Sequence, residues 1–119
     1  MNDVWPTELK VSDQGRVLTI SFDNGTSFDV PAELLRVESP SAEVKGHGPG
    51  QEQLVFGKRL VSITGIEPIG TYAAKINFSD GHSTGLYTWA YLEKLGREQA
   101  LIWTAYLEKL NQEGRTREP

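Results

Sequence analysis

Cysteine is absent from this chain of 119 residues, and histidine occurs only twice. The first absence excludes disulfides and thiolate metal ligands, and it fits a reducing compartment, so a cytoplasmic location is expected. Two imidazoles leave few candidates for a general base or a metal site. No run approaches the ~20 apolar residues that span a bilayer. The start, Met1-Asn2-Asp3-Val4-Trp5-Pro6, lacks the basic residues and apolar stretch of a signal peptide. A soluble protein with no membrane partner is expected. A basic excess is also missing: 12 Lys and Arg stand against 16 Asp and Glu, for a net charge of −4. Without a basic stripe to neutralise phosphates, no nucleic-acid partner is expected.

What is present is strand alternation and turn chemistry. Leu9 and Val11 share one side of a short strand, and Ser12-Asp13-Gln14-Gly15 reads as a turn. From Arg16 to Phe22, Leu18, Ile20 and Phe22 face one way and Thr19 and Ser21 the other. Asn24-Gly25 supplies a two-residue hairpin turn, and the returning strand presents Thr26, Phe28 and Val30. Pro31 suits the first position of a helical turn through Arg36. The stretch 38–53 is rich in Ser, Pro and Gly and reads as a mobile loop, its role left open.

The pattern then restarts. Leu60–Ile66 reads as a buried strand, Pro68 and Gly70 mark a turn, and Tyr72, Ala74, Ile76 and Phe78 alternate with polar positions. Asp80-Gly81 is the next hairpin turn, Thr88 can cap a helix from Trp89 to Leu95, and Gly96 reads as its stop. The segment I-x-F-x-[ND]-G-x occurs at Ile20 and again at Ile76, so one hairpin solution is used twice. A last helix, Glu98–Gln112, places Trp103, Tyr106, Leu107 and Leu110 on one face. These signals predict an α+β fold. A small antiparallel β-sheet is built from two hairpin-plus-helix units and closed by a C-terminal amphipathic helix. Residues 1–112 are expected to form a single domain, and residues 113–119, with nothing to bury, a flexible tail.

Chemistry is sparse. No G-x-S-x-G elbow accompanies the serines, and Gly46-His47-Gly48-Pro49-Gly50 lacks the lysine and following helix of a phosphate loop. His82, beside the rigid Asp80-Gly81 turn, and His47, in the loop, are the candidate metal ligands, with Glu43 or Asp80 adding a carboxylate. Two imidazoles fall short of the usual four-ligand zinc set, and the H-x-[DE] spacing of an iron facial triad is absent. No cofactor is expected, weakly bound zinc or iron being the alternative.

The segment Asp80-Gly81-His82 through Leu86-Tyr87-Thr88-Trp89 to Leu92 follows Leu34-Leu35-Arg36 and Ser39-Pro40-Ser41. Together they resemble the gamma-butyrobetaine hydroxylase N-terminal-like domain family over about residues 7 to 96. In the hydroxylases this domain precedes an iron- and 2-oxoglutarate-dependent catalytic domain. Small bacterial proteins carry it alone, and it ends certain iron–sulfur carrier ATPases. The resemblance implies a stand-alone bacterial member, a domain of unknown function with no hydroxylase activity. It also implies a lost zinc site. The three cysteines that join the histidine in the hydroxylases correspond here to Ser39, Ser41 and Val44, leaving His82 as the remnant.

Three functions follow as expectations. The first is a non-enzymatic accessory or interaction module with an unknown protein partner, its surface including Trp89, Tyr87 and Trp103 from an aromatic set completed by Tyr91 and Tyr106. The second is a zinc- or iron-binding, or iron–sulfur-related, accessory protein using His82. The third is a small-molecule enzyme with His82 in the site.

Overall fold

The computed structural model describes residues 4–41, 44 and 53–119. The order is β1 (Pro6–Ser12), β2 (Val17–Phe22), β3 (Ser27–Pro31), α1 (Ala32–Val37), β4 (Ile63–Ile69), β5 (Ala73–Phe78), β6 (Leu86–Thr88), α2 (Trp89–Arg97) and α3 (Gln99–Gln112). The α+β expectation holds, with the strands divided between two antiparallel meanders, β1-β2-β3 and β4-β5-β6. Each meander ends in a helix that follows its third strand without a spare residue.

The alternation read from the sequence sets the core. Leu18, Ile20 and Phe22 of the first sheet and Ile76 and Phe78 of the second turn inward, and Leu34, Leu35, Leu92 and Leu95 of the helices close over them. Tyr87 is the largest fully buried side chain. Thr88 caps α2 as expected, its hydroxyl accepting from the Tyr91 N–H at 3.2 Å.

Four local readings change. The strand expected at Leu60–Ile66 lies at Ile63–Ile69 and includes Pro68, which an edge strand tolerates because one side of its backbone is unpaired. Gly96 does not stop α2 but lies inside it, where any Cβ would collide with the ring of Phe28. On α3 the buried positions are Tyr106 and Leu110, while Leu107 is exposed. Residues 113–119, which offered nothing to bury, have partners all the same. The Arg117 guanidinium pairs with both oxygens of buried Glu33 at 2.7 and 2.9 Å and lies over Trp103. The Gly57 and Arg59 N–H groups donate to the carbonyls of Thr116 and Arg117.

Candidate functional site

The Asp80-Gly81 turn aims His82 at the end of α1. Gly81 takes φ 92°, a value that favours glycine, and the Asp80 Oδ1 accepts from the His82 N–H at 3.1 Å. The His82 Nε2 lies 2.9 Å from Ser39 Oγ and 3.3 Å from Ser41 Oγ, and the Ser39 hydroxyl also reaches Ser41 Oγ at 3.3 Å. Two phenols hold the segment that carries these serines: Tyr87 donates to the Leu35 carbonyl and Tyr91 to the Glu38 carbonyl, each at 2.5 Å. Both phenols are pushed up by burial. Gly85 completes the enclosure, since a Cβ there would overlap Ser39 Oγ.

Asp80 also anchors two cations. Arg36 Nε and Lys58 Nζ each sit 2.7 Å from its Oδ2. Burial would raise the Asp80 carboxyl, but hydrogen bonds from Lys58, the His82 backbone and Arg36 outweigh it and hold the group at about 2, against an ordinary 3.8. A depressed carboxylate stabilises the fold above its unfolded value and loses that contribution as pH falls through the folded one. Wild-type protein is therefore expected to lose about 1 kcal/mol more stability between about pH 5 and pH 2 than Asp80→Asn, the full linkage value being reduced by solvent screening at this partly exposed site, as measured by urea unfolding at each pH. Parallel pH profiles for the two proteins would refute the assignment. Asparagine is the appropriate replacement because Asn24 holds the matching turn of the first sheet.

The cluster's donor chemistry does not suit zinc. Two hydroxyls that stay protonated at neutral pH take the place of charged ligands, and both reach the one imidazole nitrogen that faces them. Val44 is buried beside them, its N–H bonded to the Ser41 carbonyl at 3.1 Å, and an aliphatic side chain cannot ligate. Among the described residues no group of three or more His, Cys, Asp or Glu side chains could hold a metal ion. His47 and Glu43 lie outside the described residues. The Ser39–His82 pair has the spacing of a nucleophile and its base, but Ser39 is fully buried, so no substrate carbonyl can reach its oxygen.

The aromatic residues are divided differently from the expectation. Tyr87 is a core residue and cannot form a partner surface, a correction that follows from its complete burial. Tyr106 is buried too. Trp103 is half-buried beneath Arg117, and Trp89 is half-buried with its indole N–H donating to the Thr71 carbonyl at 2.8 Å. Phe56 is 44 % exposed beneath the Arg115 guanidinium. Two further exposed rings are Trp5 at 50 %, which the sequence reading passed over, and Tyr72 at 53 %, which it placed in an alternating strand but which lies in the turn before β5. They line one shallow cavity of about 250 Å³ together with Val4 and Trp89. Trp89 also borders an apolar groove of about 320 Å³ between the sheet edges, formed by Leu9, Val11, Ile66 and Pro68. The missed signal was in Met1 to Pro6, where tryptophan stands outside any alternating pattern.

Known proteins give consistent findings. The family model described as gamma-butyrobetaine hydroxylase-like, N-terminal, matches residues 9–93. Two proteins solved in solution by NMR are similar over 99 % of this chain. One is 42 % identical with a TM-score of 0.86 over 93 % of its own length, the other 47 % identical with 0.85 over 88 %. A crystal structure of a protein with unknown function from Acidithiobacillus ferrooxidans, of the DUF971 family, is 37 % identical with a TM-score of 0.64. That match covers 76 % of this chain and 91 % of the other. No curated protein matches the chain.

Proposed function

The chain belongs to the gamma-butyrobetaine hydroxylase-like N-terminal family, and on that premise we propose that it is a non-enzymatic accessory module that binds another protein. The observation that carries this reading is the exposed pair Trp5 and Tyr72, continuous through Trp89 with the apolar groove between β1 and β4. Two large exposed rings beside an apolar groove are costly to leave in water, and Trp and Tyr dominate binding energy where they occur at interfaces. The buried Ser–Ser–His cluster supports the same reading from the other side: it stiffens the junction between α1 and β6 and offers no reachable nucleophile. No described helix is long and apolar enough to cross a membrane, and a cytoplasmic setting is part of the proposal.

The test compares the wild-type domain with Trp5→Ala/Tyr72→Ala as bait in native extract, followed by titration of whatever the wild type captures. A hot-spot pair predicts at least ~30-fold weaker binding for the double variant with an unchanged circular dichroism spectrum. Equal capture by both baits, or none by either, would count against the proposal.

A further inference from the structure

The second half of the chain repeats the order of the first and matches it closely in the first two strands, while the third strand has five residues against three and the helix six against nine. β1 and β4 have seven residues each, and β2 and β5 six each. The register of β1 on β2 shifts between Pro6 and Glu8, opposite Phe22 and Ser21. That of β4 on β5 shifts between Ile63 and Gly65, opposite Phe78 and Asn77, at the same place in the hairpin. Beyond the bulge, the Asp23 N–H donates to the Trp5 carbonyl at 2.9 Å, and the Ser79 N–H donates to the Ser62 carbonyl at 2.8 Å.

The turns agree as well. Gly25 and Gly81 take φ 87° and 92°. Asn24 Oδ1 and Asp80 Oδ1 each accept the N–H two residues on, both at 3.1 Å. At the strand-to-helix junctions, the Ala32 N–H donates to the Arg16 carbonyl and the Trp89 N–H to that of Tyr72. A shared turn type is common between unrelated hairpins. A bulge at one matching position, with matching bonds on either side of it and at the helix entry, is not required by a hairpin.

The two copies also exchange contacts. The helix of the first copy meets the last strand of the second, where Tyr87 donates to the Leu35 carbonyl. The helix of the second meets the last strand of the first, where Gly96 packs on Phe28. Leu18, Ile20, Ile76 and Phe78 share one core. We propose that this domain is a tandem duplication of one strand–strand–strand–helix module. The surface joining the copies is then an interface between modules, and the partner it fits is a second copy of this chain, bound by reciprocal exchange of modules. Domain swapping of this kind needs no new contact, because every bond across the interface is one the monomer already makes. The tether favours the closed monomer until chain concentration approaches the effective concentration of the linked modules, of millimolar order.

Two full-length variants test this. Leu18→Asp/Ile20→Asp disables the first module, and Ala74→Asp/Ile76→Asp disables the second at matching positions of β2 and β5, all four side chains being buried. Each variant alone is expected to stay unfolded. Refolded together from urea at roughly millimolar concentration, they should form a dimer in which the two intact modules pair, recovering about half of the native ellipticity. Sedimentation should give twice the mass of one chain. A mixture that behaves as the sum of its parts overturns the proposal, and so does either variant folding unaided.

Discussion

A protein carrying Ser39→Cys and Ser41→Cys together is expected to purify with about one zinc per chain, where the wild type does not. The reason is geometric. His82 Nε2, Ser39 Oγ and Ser41 Oγ form a triangle with sides of 2.9, 3.3 and 3.3 Å. Ligand atoms around tetrahedral zinc, at ~2.0–2.3 Å from the metal, stand roughly 3.5 Å apart. The backbone therefore already presents three corners of a coordination shell, and only the donor chemistry is unsuited. Thiolates would supply the charge that hydroxyls cannot. Because metal affinity couples to folding, the double variant should melt well above its chelator-treated form, and adding His82→Ala should abolish the difference. Elemental analysis of tag-free protein decides the matter. Zinc at the same level in wild type and double variant would show that the cluster is not what sets metal binding.

Tyr87→Ala should be the most damaging single substitution in the core, costing about 3–5 kcal/mol. A domain of ordinary stability, ~5–15 kcal/mol, is brought near unfolding by that amount. The side chain is fully buried between β6 and α1, and its hydroxyl satisfies the Leu35 carbonyl at 2.5 Å. Tyr87→Phe separates the two contributions. It keeps the ring and leaves one buried carbonyl without its donor, so a loss of about 1–2 kcal/mol is expected. Urea unfolding with an unchanged slope would measure both. Equal losses for the two variants would mean that the hydrogen bond, and not the ring, carries the stability.

Much of the fold was legible because its signals are local. Leu18, Ile20 and Phe22 alternate in the chain and alternate in the sheet, since strand side chains change face at every residue. Asn24-Gly25 and Asp80-Gly81 announce their turns through the positive φ that glycine tolerates, and Thr88 announces a cap through its hydroxyl. Gly96 was misread for the complementary reason. In sequence it looks like a helix stop, but its function is to make room for Phe28, a neighbour nearly seventy positions away. The pairing of Arg117 with Glu33 was likewise out of reach of local pattern, since the two residues lie in different halves of the chain.

The candidate site divides along the same line. Residue types are plain from the chain alone: no thiol, one histidine on a rigid turn, and two serines and a valine where the resemblance places ligands. Those types exclude thiolate zinc chemistry whatever the geometry, because protonation state is a property of the side chain. That Ser39 and Ser41 meet His82, that Tyr87 is core while Trp5 and Tyr72 face water, and that the likeness of the two hairpins extends to their bulges emerges from the packed fold. Burial and long-range contact depend on how separate segments pack against one another, and neither residue type nor local periodicity carries that information.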